Sequence, residues 1–292
     1  MSWAAHEFEN YFIQKHVGVK ASFVAIATGT FLPDLFTKPF VYEQSEGQAA
    51  HFHRGWPGVG FSHSLMFGFV IAVIILALTR SRSWALGLLI GQWAHVLTDI
   101  SDSAGVMVFF PFSTENLSIR MWKHAAGEGR HGDAIAYYSS LGGIWDFFWL
   151  IMAIVFARNV LRRDYFREVV RPADPRVWDW LGRRLFLTEN GLIVLYRAYF
   201  LYGVGRMFGW FFWARFKEHA PWQPVWDGPK FVPGNYLTVG AWYVVAYRLI
   251  IGGVLFLAFL YLCWVTFVRR LWHRAEDPPG VQRGTGIHVA FH

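Results

Sequence analysis

The chain has 292 residues, of which 54% are apolar and 19% aromatic, with a formal net charge of +7 and a mean hydropathy of +0.28. That composition excludes an ordinary soluble domain, because several stretches reach the roughly 18 nearly uncharged apolar residues that a membrane span needs. The single cysteine, Cys263, excludes an intrachain disulfide and a Cys-based zinc site.

The first residues lack a basic n-region and carry His6, Glu7 and Glu9, so they do not read as a secretory signal peptide. His6 to His16 predicts a helix, Val17-Gly18-Val19 permits a turn, and Lys20 to Leu32 predicts a second helix, its apolar part from Ala21. At ~1.5 Å per residue each arm is under about 20 Å and too short to span alone. A hairpin of the two arms, which returns Asp34 to the level of His6, is preferred. The alternative is one continuous sixth span, which would put His6 on the wrong side of the membrane for a shared site. A polar, glycine-rich outer loop follows, Glu43 to Gly60.

Five full spans are expected: Phe61 to Thr79, Trp84 to Ile100, Ser140 to Ala157, Gly191 to Trp213 and Val239 to Val268. Between the second and third lies an outer segment, Ser101 to Ser139, with Asp102, His124, His131 and Asp133. Residues 158–189 form a basic linker broken by Pro172 and Pro175, with a surface helix around Trp178 to Phe186. Residues 190–270 form a two-helix extension of the 1–157 core, and 271–292 a mobile tail rich in proline and glycine. The fold class is therefore all-α, a polytopic helical membrane protein.

The glycine pairs Gly87/Gly91 and Gly205/Gly209 read as small-xxx-small contacts between helices. Gly55, Gly58 and Gly60 lack the strand and helix of a nucleotide fingerprint. Taking the spans as given, the side holding Arg80, Arg82, residues 158–184 and the tail carries 14 basic residues against 8 on the other. The positive-inside rule makes that side, with the C-terminus, cytoplasmic in a bacterial-type inner membrane. The charge excess is then topogenic, and no basic stripe on a soluble domain suggests nucleic acid as a partner. Trp213, Trp222, Trp226 and Trp242 read as an interfacial belt.

With that orientation Asp34, His53, His63, His95 and Asp99 all lie at the outer face. Histidine and carboxylate are costly next to a bilayer, and together they are metal ligands. His95 and Asp99, at i and i+4, share one helix face. His63 begins the preceding span, which must pack antiparallel to that helix because the connection is short. Gln92 and Asp102 extend the stripe as partners that could orient the imidazoles. Mixed His and carboxylate ligands suit zinc ahead of manganese, as one ion or two.

Leu32-Pro33-Asp34, His53-Arg54-Gly55, Ser62-His63-Ser64, Gly91 to His95, Asp99, and Ala104-Gly105-Val106 leading to Pro111-Phe112 together resemble the YdjM/YbcI type of membrane-bound metal-dependent hydrolases over roughly residues 1 to 155. That family is distantly similar to zinc-dependent phospholipases C. The resemblance implies a metal site of Asp34, His53, His63, His95 and Asp99, with His6 added. Two departures stand out. Phe36 occupies the place of a second acidic residue, and Trp56 to Phe61 separates two blocks that are nearly contiguous in the family.

Within the later spans, Asp146, Arg206 and Arg248 fall at similar depth, roughly 10 to 14 Å below the outer face at ~1.5 Å per residue. They are expected to form an ion pair that fixes helix register, or to leave an arginine to hold a lipid phosphate. Arg54 is a further candidate for phosphate or ion pairing, and Arg197 is expected to snorkel. The leading functional expectation is a metal-dependent hydrolase of a phosphoester at the outer membrane surface, with membrane lipid as its partner. Asp34 or Asp99 would be the general base. The rival is a non-catalytic subunit that keeps a remnant metal site and packs against other membrane chains.

Overall fold

The structure is a computed structural model that describes residues 5–17, 21–35, 61–103, 105–113, 115–123 and 129–224, then 226, 228–232 and seven isolated positions from 254 to 269. Helices dominate: α1 (Ala5–Val17), α2 (Phe23–Leu35), α3 (Leu65–Thr79), α4 (Arg82–Asp99), α5 (Gly129–Tyr138), α6 (Leu141–Val160), α7 (Pro175–Arg184) and α8 (Glu189–Phe212). The all-helical expectation is amended by one small ribbon, in which β1 (Asn116–Ser118) pairs antiparallel with β2 (Lys230–Val232). One helix, α6, is long and apolar enough to cross a membrane by length and composition among the described residues. The expected last span and tail lie almost wholly outside the described residues, as do His53, Arg54 and Arg248.

Serine caps set the helix boundaries. Ser64 accepts from the Phe67 N–H at 3.2 Å to start α3. α3 ends at Arg80, whose left-handed φ of 55° turns the chain. Ser81 then accepts from the Trp84 N–H at 3.3 Å to start α4. This tight corner makes α3 and α4 an antiparallel pair.

The N-terminal arms form the preferred hairpin, with α1 and α2 packed together and no continuous span. α2 lies parallel to α4, since the Ser22 N–H bonds to the Ser83 carbonyl at one end while Thr30 meets His95 further along. The two backbones approach closely. A Cβ on Gly91 would sit 2.2 Å from the Ile26 carbonyl oxygen, and one on Gly29 would sit 2.4 Å from that of Leu88. Gly87/Gly91 is thus a true close-approach pair. Around Gly205 and Gly209 a Cβ would meet nothing within 4 Å, so the second glycine pair makes no such contact among the described residues.

Polarity is inverted relative to a soluble protein. α1 carries His6, Glu7, Glu9, Asn10 and Gln14, all buried, and packs against α2, α4, α6 and α8. Each finds a polar neighbour, as burial requires. Asn10 donates to the Tyr199 hydroxyl at 2.7 Å, Glu9 accepts from Thr98 at 2.6 Å, and Glu7 pairs with Arg206 at 2.5 Å. Outward-facing residues are apolar instead: Phe69 and Val73 on α3, Leu97 on α4, Ile151 and Val155 on α6, Val194 and Leu201 on α8. An exposed apolar belt over a core that buries many polar groups among its hydrophobic ones is what a lipid solvent selects.

The region after residue 158 is built into this core. Phe166, Val170 and Trp178 join Tyr196 and Tyr11 in the main aromatic cluster. α7 is the surface helix expected there. Asp174, just before it, accepts from the Ser22 hydroxyl and from the Val24 N–H at 3.1 Å, satisfying orphan donors at the start of α2. Burial pushes the Asp174 carboxyl up from its ordinary range, opposed by those hydrogen bonds. Arg197, expected to snorkel, is exposed, and its Nε donates to the Leu161 carbonyl at the end of α6 at 2.9 Å.

Of the charges expected to pair within the later spans, Asp146 and Arg206 belong to one largely buried group with Glu7 and Tyr138, while Arg248 lies outside the described residues. Asp146 accepts from the Tyr137 and Tyr138 hydroxyls, both at 2.7 Å. Arg206 takes Glu7 of α1 as an ion-pair partner, a residue the depth argument did not consider.

The contrast between the two glycine pairs is testable. Gly91→Val should destabilise the detergent-purified protein by about 1–3 kcal/mol or prevent folding, by overpacking against a fixed backbone. Gly205→Val should change the unfolding temperature little. Equal losses in thermal unfolding scans would contradict the close approach of α2 and α4.

Candidate metal centre

Three elements converge on one point at the end of α2. Asp34 comes from the last turn of α2, His63 from a single 3-10 turn (Phe61–His63), and His95 and Asp99 from the last two turns of α4. One ligand atom from each of the four lies within 4.8 Å of all the others. All four residues are buried, and only Asp34 keeps measurable exposure, at 7%.

The distances discriminate between an ion pair and an ion site. The Nε2 atoms of His63 and His95 lie 3.4 and 3.3 Å from Asp99 Oδ2, and 3.7 and 3.8 Å from Asp34 Oδ1. A charge-assisted hydrogen bond would be about 2.7–2.9 Å. A tetrahedral zinc with ligand bonds of about 2.0–2.1 Å has edges of about 3.3–3.4 Å. The edges from the two histidines to Asp99 fit, and Asp34 stands slightly further off.

The imidazoles are oriented by their other nitrogens. His95 Nδ1 lies 2.6 Å from the Thr30 carbonyl, which can only accept, so Nδ1 carries a proton. Its Nε2 makes no hydrogen bond and faces the two carboxylates. A bare lone pair beside two carboxylates is repulsive unless a cation lies between them. His63 Nδ1 meets the Ser62 hydroxyl at 3.1 Å. These are the orienting contacts that metal-bound imidazoles require.

Gln92 and Asp102 were expected in that role, and the structure gives them others. Gln92 stands one turn before His95, level with the start of α3. Its Nε2 donates to the carbonyls of Ser62 and Ser64 at 3.1 and 3.0 Å, clamping the turn that carries His63 onto α4. Asp102 lies past the helix end, where Oδ1 accepts from the Gly105 N–H at 2.6 Å. Gly105 has φ +63°, and a Cβ there would sit 2.4 Å from the Leu117 carbonyl oxygen. The turn requires glycine for both reasons.

His6 lies beside the four residues without joining them. Its ring stacks on His95 with centroids 4.3 Å apart and planes at 11°, and its Nδ1 is 3.1 Å from Glu9. His131, on α5, packs edge-on against Trp210 and Trp213 instead. Sequence reasoning missed Thr30, Ser62 and Glu9. Only the proximity of Ser62 to His63 could have signalled one of them.

The chemistry of the donor set fits a divalent cation, which His63, His95 and Asp99 would hold, with Asp34 beside the fourth position. Protein purified in detergent should carry about one zinc per chain by elemental analysis. His95→Ala with Asp99→Ala should remove it, whereas His6→Ala should retain it. Full metal retention by the double variant would overturn the assignment.

Comparison with known proteins gives one clear relationship. The family model described as YdjM inner membrane protein matches residues 4–166. No curated protein and no solved structure is significantly similar to the chain. All four converging residues and Gly105 fall within the matched segment, which spans more than half of the sequence. The chain belongs to the YdjM inner membrane protein family.

Proposed function

We propose that this protein is an integral-membrane, metal-dependent hydrolase acting on a phosphoester, of lipid origin, at the outer face of the inner membrane. The observation that carries the reading is the graded spacing around the four donors. His63 and His95 each sit at coordination spacing from Asp99, and Asp34, the one with exposure, stands back by a few tenths of an ångström. Three protein ligands with an open fourth position is the pattern of a catalytic zinc site.

A divalent cation there supplies Lewis acidity toward a phosphoryl oxygen and makes water nucleophilic near neutral pH. The chain's own residues do the rest. Thr30 and Ser62 hold the two imidazoles in orientation. Asp34 would accept a proton from the attacking water, the role of general base. The apolar belt on α3, α4, α6 and α8 brings the site to the lipid surface. Five spans plus the N-terminal hairpin remain the proposed topology. At ~1.5 Å per residue α8 reaches about 36 Å, α4 about 27 Å and α3 about 22 Å, the last extended outward by the turn bearing His63.

A second reading rests on the depth of the site. If Asp34 closes the fourth position, four enclosed protein ligands make a structural ion. The protein would then be a non-catalytic subunit that packs against other membrane chains. Phe36, in place of an acidic residue, is consistent with that.

Asp34→Asn separates the two. Under the hydrolase reading it should keep its zinc and lower turnover of phosphodiester and phospholipid substrates by about 10²–10⁴-fold. Zinc-replete wild-type protein inert toward phosphomonoesters, phosphodiesters and phospholipids would favour the structural reading.

Orientation has its own test. With Cys263 replaced, a cysteine at Ser81 should resist an impermeant thiol reagent in intact cells, and one at Ser103 should react. The reverse pattern would move the site, and its substrate, to the cytoplasmic side.

A further inference from the structure

At the opposite end of the bundle from the metal centre, α6 and α8 diverge around a crevice of about 370 Å³. Its lining is Ala157, Arg158, Leu161, Arg162, Arg197 and Leu201. Three arginines therefore border one open, apolar-walled recess. We propose that this crevice binds the headgroup of an anionic phospholipid, with the acyl chains lying along α6 and α8. The proposal rests on the membrane family and not on the metal chemistry, so the two can fail separately.

Charge accounting around the crevice sets these arginines apart from their neighbours. Arg167 pairs with Glu189 at 2.7 Å, and Arg171 pairs with Asp179 at 2.9 Å. Arg163 bonds to Asn190. Arg158, Arg162 and Arg197 have no carboxylate partner among the described residues. Arg197 is nonetheless positioned, since Nε is held by the Leu161 carbonyl at 2.9 Å and the terminal nitrogens are left for a ligand. Paired nitrogens of this kind recognise phosphate oxygens in a bidentate manner.

The walls select a lipid over a free anion. Ile154, one turn above Arg158 on the same face of α6, is exposed, as is Ile151 a further turn along. Leu201, one turn beyond Arg197 on α8, is exposed as well, as is Tyr202. Passing along the two helices from the arginines, the surface changes from cationic to apolar, the order in which a phospholipid presents its own groups. Basic pockets between membrane helices are a recurrent setting for such headgroups.

Native mass spectrometry of the full chain, released from detergent with equal amounts of phosphatidylglycerol and phosphatidylethanolamine, tests the proposal. Phosphatidylglycerol should be retained at least tenfold over phosphatidylethanolamine. Each arginine removed should weaken retention roughly fivefold, so Arg158→Gln with Arg162→Gln should lower it by more than tenfold. Arg158→Gln alone, at a residue with no hydrogen bond or ion pair among the described residues, should lower it about fivefold. Arg183→Gln with Arg184→Gln, on the exposed end of α7, should stay within twofold. Inorganic phosphate at millimolar concentration should leave the lipid in place. Equal retention of both lipids, or an equal loss in the α7 variant, would reduce the arginines to topogenic charge and overturn the site. Displacement by inorganic phosphate would assign the crevice to a soluble anion instead.

Discussion

The candidate metal centre depends on how closely α2 can lie against α4. Asp34 and the Thr30 carbonyl belong to one helix, while His95 and Asp99 belong to the other. The spacing between the helices therefore fixes the spacing between donors. Gly29, Gly87 and Gly91 let the backbones touch through carbonyl groups, with no side chain between. Metal coordination tolerates only about 0.2 Å in each bond. Any side chain inserted between these helices would move Asp34 out of range, although it lies outside the set of ligands.

Burial of polar groups is the second constraint, and it explains why α1 lies at the centre. In water a helix bearing His6, Glu7, Glu9, Asn10 and Gln14 would face solvent. With the apolar faces of α3, α6 and α8 turned outward, the polar residues are satisfied only by one another. Asn10 bridges to Thr30 and Tyr199, Glu9 to Thr98, and Glu7 to Arg206. The stack of His6 on His95 follows from that placement and brings the buried network to the edge of the ligand set.

The sequence made much of this legible, for identifiable reasons. The His95/Asp99 pair could be read because helical periodicity places i and i+4 on one face. The proximity of His63 could be read because only two residues, Arg80 and Ser81, join α3 to α4. The hairpin followed from the shortness of its arms. What could not be read were contacts that depend on rotation about helix axes. Gln92 was assigned to an imidazole on spacing alone, yet its amide points at the carbonyls of Ser62 and Ser64. Depth along the membrane brought Asp146 and Arg206 together, but could not show that α1, and with it Glu7, enters at the same level. The ribbon joining β1 to β2 pairs residues more than a hundred positions apart, with no local pattern to announce it.

Asp174 gives the architecture an evolutionary consequence. It lies beyond the segment matched to the family, yet it caps the first turn of the helix whose last turn carries Asp34. The family-matched half and the following half are thus not interchangeable modules. A recombination event that swapped the C-terminal half for an unrelated membrane domain would strip the cap from α2 while leaving every ligand in place. The family-matched core of this protein can therefore be inherited intact only together with a short acidic contact from outside it.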